Sequence, residues 1–377
     1  MQEENSLKSL VTDIGGEVHK KIGFAILGLG ELTETQLLPA FEKCKYAEPV
    51  ALISDDNDKA NELAKKYNID RASVYSYENF DAIADNESIE VVYIVLPNSM
   101  HKDFTIRSAK AFKHVLCEKP MATSVSEAEE MINACRKADR KLMIAYRVQL
   151  EPHHKVIKEW IKQHVFGKVK AIECFNGEYV DDASQWRFKK SLAGGGVLMD
   201  LGIYCINTLR YLMDNEPVWV SANMYATPGD ERFKEVEETI LFQMAFDDGT
   251  VASCGASYSL NYQRYRCFTQ EKNWFGMDPA FAYNDLKIEI SATNNGKEFP
   301  LPVVKESDQF VLVMDHMAEC ILRNKIPKTP GEEGLKDQFV MEAIYRSAKQ
   351  KKVIYLKEIM NEYLQSDEYR QARSSSL

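Results

Sequence analysis

The sequence predicts an α/β chain of two domains, a doubly wound parallel sheet followed by an α+β domain with a largely antiparallel, open-faced sheet. Three observations carry this. Residues 22–146 alternate short apolar runs with amphipathic stretches. Beyond residue 150 the rhythm changes, and long strand-like runs follow one another. The chain has 377 residues, more than the ~100–200 typical of one domain.

The apolar runs of the first part lie at 22–27, 50–54, 91–96, 114–117 and 141–146. Each is short and mostly rich in β-branched residues, as strands covered on both faces should be. Between them, 58–67, 101–112 and 126–138 carry helical spacing, and Ser126 with Glu129 has the spacing of a capping box. Strand–helix alternation implies right-handed crossovers and a parallel sheet.

In the second part, 156–164 reads as a helix and 169–179 as a strand. Gly194-Gly195-Gly196 precedes an apolar helical stretch at 197–213. Strand-like runs follow at 218–225, 238–246, 250–259 and 262–268, with Asp248-Gly249 a hairpin signal. Residues 309–323 and 334–349 read as closing helices. The expected division is an arm at 1–21, a first domain at 22–146, a second at 147–356 and a polar tail at 357–377 that frays. The closing helix near 334–350 is placed to pack back on the first domain.

Composition excludes several classes. A net charge of −10 repels phosphate backbones, and no basic patch offsets it, so nucleic acid is not an expected partner. No apolar run reaches the ~18 residues needed to span a bilayer, and 1–21 lacks an apolar signal core. The eight cysteines are scattered without a CxxC pair, which fits reduced thiols and a cytoplasmic location. A leader removed upstream would make it periplasmic. Neither cysteines nor histidines have metal spacing, so no metal is expected; His153 and His154 are adjacent and point apart.

Gly28-Leu29-Gly30-Glu31-Leu32-Thr33 follows the first strand and opens a helical pattern. Gly28 allows a tight turn, Gly30 allows close backbone approach to a pyrophosphate, and the helix N-terminus favours the anion. Thr33 stands where Gly or Ala usually completes the fingerprint. The second strand ends at Ser54-Asp55-Asp56, where a Rossmann domain reads the adenosine ribose. A carboxylate there suits the 2′-hydroxyl of NAD and repels the 2′-phosphate of NADP.

Cys117-Glu118-Lys119-Pro120 closes another strand, at the sheet edge where ligands sit. Proline keeps Lys119 out of helical geometry. Gly28-Leu29-Gly30, Leu96-Pro97-Asn98, His101, Glu118-Lys119-Pro120, Tyr146-Arg147, Trp186-Arg187 and residues 194–204 together resemble the Gfo/Idh/MocA family. The stretches LPNSMHKDF, CEKPMATSV, LAGGGVLMDLGIY and TPGEEG are most similar to its glucose–fructose oxidoreductase branch. The resemblance runs over about 22–356. It implies a Rossmann domain with nicotinamide in the cleft between domains and a cis Lys119-Pro120 bond. Gly28, Gly30, Glu31 and Leu32 would meet the pyrophosphate. Leu96, Pro97, Asn98, His101, Glu118, Lys119 and Arg147 would line the ribose and nicotinamide, with Trp186 and Arg187 meeting them from the second domain. Ser54 and Lys59 match that branch's 2′-phosphate ligands, while Asp55 stands where it has glycine. NADP is therefore the expected cofactor, with NAD the alternative.

The family commonly has Asp-x-x-x-His where this chain has Asp200-Leu201-Gly202-Ile203-Tyr204. Spacing i, i+4 puts Asp200 and Tyr204 on one helical face. Oxidising a sugar C1 hydroxyl requires removing its proton as hydride leaves. A free tyrosine titrates near ~10, and a lysine ammonium within ~4–6 Å favours its phenolate. Lys119, Tyr204 and Asp200 are the expected catalytic residues, and Tyr146 joins them facing substrate. The resemblance implies a sugar or polyol substrate and a homodimer or homotetramer. A different polyol, inositol or dihydrodiol on the same site, or a dinucleotide-binding regulator, are the alternatives. Residues 258–268 and 274–283 are expected to shape the pocket. Residues 1–21 hold no proline, unlike that branch's proline-rich cofactor-trapping arm, so an exchanging cofactor is equally compatible.

Overall fold

The computed structural model describes residues 20–291, 293–294 and 297–374. The arm expected at 1–21 lies almost wholly outside them. Six parallel strands form the first sheet: β1 (Ile22–Leu27), β2 (Ala47–Ile53), β3 (Val74–Tyr75), β4 (Val91–Ile94), β5 (His114–Cys117) and β6 (Leu142–Ile144). Their order is β3-β2-β1-β4-β5-β6. The order reverses between β1 and β4, which opens a crevice at the carboxyl ends of those strands. Every residue of β1 is buried, which is why it reads as an unbroken apolar run.

The covering helices are α1 (Leu38–Phe41), α2 (Asn57–Lys66), α3 (His101–Lys110) and α4 (Val125–Lys137). The capping box sits two residues upstream of the expected one. Ser124 accepts from the Glu127 amide at 3.2 Å, and the Glu127 carboxylate accepts from the Thr123 amide at 3.1 Å.

α5 (Pro152–Lys162) leads into the second sheet: β7 (Val169–Gly177), β8 (Pro217–Tyr225), β9 (Thr239–Phe246), β10 (Val251–Ser257), β11 (Tyr262–Thr269), β12 (Trp274–Met277) and β13 (Ile288–Ser291). After the hairpin β14 (Thr293–Asn294) and β15 (Lys297–Glu298), the short β16 (Ile354–Tyr355) completes it in the order β13-β12-β11-β7-β10-β9-β8-β16. All its pairings are antiparallel except β7 with β10. Asp248-Gly249 forms the β9–β10 turn, Gly249 at φ +86°.

The short α6 (Lys190–Ala193) lies against residues Asn98–Met100 of the first domain, while helix α7 (Ile203–Met213), with the turn Leu198–Gly202 before it, covers one face of this sheet. The segment Lys190–Met213 has the length and hydropathy of a membrane span, but 78% of that window is buried inside the fold. It is the core helix of the second domain. α8 (Gln309–Leu322) returns to the first domain beside α1 and β2, and α9 (Gly331–Gln350) lies against α4, β6 and β8. The segment expected to fray instead forms α10 (Leu356–Gln365) and α11 (Asp367–Ser374). Ile359, Tyr363 and Ala372 are buried, an apolar face that the polar average of the segment conceals.

Candidate active site

The glycine-rich loop leaves β1 with Gly28 at φ +99°. A Cβ there would lie 2.2 Å from the Val95 carbonyl oxygen, whereas one on Gly30 would meet nothing within 4 Å. Gly28 is needed for the turn, and Gly30 faces open space. Thr33 is fully buried, and its hydroxyl donates to the Gly28 carbonyl at 2.7 Å. That bond closes the loop where a glycine would have closed it by packing. Glu31 is exposed and Leu32 half-buried. These groups fit a pyrophosphate.

At the end of β2, Ser54 is buried and its oxygen accepts from the Asp56 amide at 3.1 Å. Asp56 caps α2 through the Lys59 amide at 3.0 Å. The Asp55 carboxylate accepts from the Tyr77 amide at 2.9 Å, so one of its oxygens is committed to the backbone. Lys59 forms an ion pair with Glu34, just beyond the glycine loop.

Across the cleft, β5 ends in Glu118-Lys119-Pro120, with the Lys119-Pro120 bond cis. Lys119 Nζ donates to the Asp200 main-chain oxygen at 2.8 Å and to its Oδ1 at 3.0 Å. It also lies 4.8 Å from the Tyr204 ring centroid. Asp200 Oδ2 accepts from Arg187 at 2.6 Å and from the Tyr258 hydroxyl at 3.0 Å. Burial alone would raise the Asp200 carboxyl, but Arg187, Lys119 and Tyr258 hold it well below the usual carboxylate range. Burial alone would lower the Lys119 ammonium, but Tyr204, Asp200 and Glu118 hold it above an ordinary lysine. Both groups are therefore fixed in their charged forms. Glu118 accepts from the Tyr93 hydroxyl at 2.8 Å, and burial pushes its carboxyl up.

The local chain explains why Asp200 reaches Lys119. Residues Leu198–Gly202 form a π-helical turn in which the Ile203 amide reaches back to the Leu198 carbonyl. Such turns recur at functional sites because they displace the regular hydrogen-bond ladder. Glu237 anchors its start, accepting from the Gly196 and Leu198 amides at 3.0 Å each and from the Tyr345 hydroxyl at 2.8 Å.

Several residues do other work than the sequence suggests. His101 is fully buried, and its two ring nitrogens lie 2.9 Å from the Pro120 and Leu96 carbonyls. It pins the Leu96-Pro97 loop to the lysine turn, with both ring nitrogens engaged there. Asn98 is buried, and its amide donates to the Ala193 carbonyl at 2.8 Å, tying the two domains together. Arg147 is also buried, and donates to the Phe281 carbonyl at 2.5 Å, the Ala282 carbonyl at 3.2 Å and the Gln309 side chain. Its guanidinium lies between the rings of Tyr204 at 5.0 Å and Tyr283 at 4.8 Å. It backs the tyrosine ring. Tyr146 is buried and lines, with Lys119, Tyr204 and Asn207, a cavity of only about 10 Å³. A larger cavity of about 460 Å³ lies elsewhere, around Lys158, Arg210 and Lys336. We place the chemistry at the small one, because there the charged groups converge. Trp186 is half-buried beside Arg187.

Tyr258, Tyr283, Glu237 and Glu34 were not singled out in the sequence. The first two fall within the stretches expected to shape the pocket. Glu237 and Glu34 carry no local signal.

The chain matches the model of an oxidoreductase family with an NAD-binding Rossmann fold over residues 22–146, and the GFO/IDH/MocA C-terminal domain over 154–277. A crystal structure of aldose-aldose oxidoreductase from Caulobacter crescentus, complexed with glycerol, is 41% identical. It superposes with a TM-score of 0.84, covering 89% of this chain and 100% of that one. D-xylose 1-dehydrogenase [NADP(+)] of Haloarcula marismortui is 30% identical over 89% of this chain and 93% of its own length. Trans-1,2-dihydrobenzene-1,2-diol dehydrogenase of Mus musculus is 28% identical over 74% of this chain and 82% of its own. With both domain models matched in order and the architecture shared over 89% of the chain, the chain belongs to the Gfo/Idh/MocA family of oxidoreductases, enzymes that act on CH–OH groups.

Proposed function

We propose that the protein is an NADP-dependent sugar oxidoreductase that transfers hydride between an aldose C1 and the nicotinamide. The observation that carries this is the Lys119–Asp200–Tyr204 cluster at the mouth of the cleft. NADP is favoured because Asp55 is turned to the Tyr77 amide, leaving the Ser54 hydroxyl and Lys59 beside the ribose position. The xylose dehydrogenase relative also carries NADP(+) in its name.

The bound nicotinamide supplies the hydride acceptor or donor. The protein's residues handle the proton. Lys119, held as an ammonium, is no base; it donates toward the reacting oxygen and stabilises charge developing there. None of the described residues hydrogen-bonds the Tyr204 hydroxyl, so its oxygen is free to meet the substrate; as the phenolate, beside the Lys119 ammonium, it would take the substrate proton and become the neutral phenol. Asp200 fixes Lys119 and balances its charge.

The test is to supply aldoses and polyols with NADP and follow formation of the reduced nicotinamide. Lys119→Ala and Tyr204→Phe should each lower turnover by about 10²- to 10⁴-fold while nucleotide binding persists. Unchanged turnover in either variant rejects this chemistry. Reduced nucleotide that co-purifies and is reoxidised by a second sugar would mark a sugar–sugar cycle rather than an exchanging dehydrogenase. All eight cysteines are free and buried, in keeping with a proposed cytoplasmic location.

A further inference from the structure

We infer that Glu34 is a specificity-determining residue that competes with the cofactor's 2′-phosphate for Lys59. The inference rests on the NADP reading above and adds a residue that works against it.

Lys59 lies in the first turn of α2, immediately after the β2 end that faces the adenosine ribose. Its amide is spent on Asp56, so its ammonium is what it offers a ligand. That ammonium is not free. It is paired with Glu34, in the turn that follows the glycine loop. Both side chains keep about a third of their surface exposed, 34% for Lys59 and 38% for Glu34. A pair this wet is weak and opens readily.

A 2′-phosphate is close to a dianion and outcompetes a carboxylate for one ammonium. It must nevertheless approach past a second negative charge. Asp55 adds another beside it, with one oxygen on the Tyr77 amide. Glu34 thus lowers NADP affinity in two ways, by neutralising Lys59 in the free protein and by repelling the phosphate in the complex. NAD presents only a neutral 2′-hydroxyl there, so Glu34 leaves its affinity nearly unchanged. The pair narrows the preference for NADP without abolishing it.

The experiment is equilibrium titration of NADPH and NADH, by nicotinamide fluorescence, on the full chain freed of co-purifying nucleotide. Glu34→Gln should tighten NADPH by about 3- to 10-fold and move NADH by less than 2-fold. Lys59→Ala should weaken NADPH by about 10-fold or more and spare NADH. The double variant should bind NADPH only slightly better than Lys59→Ala, by less than Glu34→Gln gains in the wild type, because without the ammonium only the direct repulsion is left to relieve. Titration with 2′,5′-ADP against 5′-AMP repeats the comparison at the adenosine end alone. If Glu34→Gln leaves NADPH affinity unchanged, or shifts both nucleotides equally, the role of Glu34 is wrong while the NADP reading stands. If Lys59→Ala leaves NADPH untouched, the 2′-phosphate is not at Lys59, and the NADP reading there falls together with the inference.

Discussion

Asp200 is the residue on which the site turns, and its partners come from far along the chain. Lys119 is 81 residues away and Tyr258 is 58. Tyr258 is fully buried, its ring fixed edge-on by Phe188 with centroids 5.3 Å apart. Its hydroxyl and Arg187 both hold Oδ2, which leaves Oδ1 for Lys119. Tyr258→Phe deletes one hydrogen bond to a charged group and little volume. The expected cost is about 1.5–3 kcal/mol in the barrier, a roughly 10- to 100-fold fall in kcat, with the folded state and KM for NADP little changed. Steady-state kinetics beside a thermal melt would separate this from a general loss of structure. The lysine turn and the Asp200–Tyr204 pair were legible because each is a contiguous motif. Tyr258 was not, because it meets Asp200 only after β10 is laid under the π-helical turn. The carbonyl contacts of His101 were not legible for a related reason. Its position in a motif was visible, but whether its ring faced a cleft or two carbonyls depended on tertiary packing.

Elements hold the site through buried polar networks more than through their own propensities. Arg210, 2% exposed on α7, pairs with Asp337 at 2.5 Å, Glu333 at 3.2 Å and Glu216 at 2.6 Å. Two of these lie on α9, so the guanidinium fastens the helix carrying Tyr204 to the helix that bridges both sheets. Burial pushes the Asp337 carboxyl up to about 6 in spite of that guanidinium. Arg210→Met would strand three carboxylates and should destabilise the fold by about 3–5 kcal/mol, read as a lower denaturation midpoint. Adding Asp337→Asn should recover part of the loss; if it recovers none, the ion pair is not the fastening. Apolar period and glycine placement showed that α7 and α9 exist. They could not show the polar link between them, since Arg210 and Asp337 sit 127 residues apart and each reads alone as a surface charge. The capping box slipped by two residues because Ser124 and Ser126 both have a glutamate three positions on, and only packing of α4 chooses between them.

At the scale of the whole molecule, one buried histidine sets an acid limit, and one face of the second sheet is open. His154 is buried, with Nε2 3.0 Å from the Ala280 carbonyl and Nδ1 3.1 Å from the Tyr265 hydroxyl. A neutral ring satisfies both contacts. Burial, helped by Arg147 and His153 and opposed by Glu151, lowers its pKa to about 4. Between pH 6.5 and about 4 the unfolded chain takes up a proton that the folded ring refuses. Stability is therefore intact above that window and lost as pH falls through it, by about 3 kcal/mol from this group. Urea unfolding at both ends of the window would measure the loss, and His154→Gln should flatten it.

The open face belongs to the second sheet. Strand register sets Trp219, Ala245, Val251, Ala171, Phe268 and Trp274 in one row on the side away from α7. Four residues along, Leu241, Gly255 and Phe175 form a second apolar row, with Gln243, Ser253 and Glu173 in a polar row between the two, and the Phe175 ring lies over Gly255. Val251 is 44% exposed and Leu241 54%. A single exposed leucine needs no explanation, but two apolar rows on one face of a sheet, flanking a polar row, do. The face suits a second copy of itself, since a two-fold axis would lay like rows on like rows without demanding a complementary shape. Glu173 and Arg266 stand in the polar row between them, and their pairs with Arg264 and Glu289 would set polar contacts between the apolar rows. We expect a homodimer, or a tetramer built from it, with about 1,200–2,000 Å² buried per interface. Light scattering of the purified chain should give at least twice the mass of one chain. Val251→Lys with Leu241→Lys places two charges per copy in that interface and should return the protein to single chains that still bind nucleotide. A wild-type mass of one chain would refute the assembly, as would a double-lysine variant that keeps the larger mass.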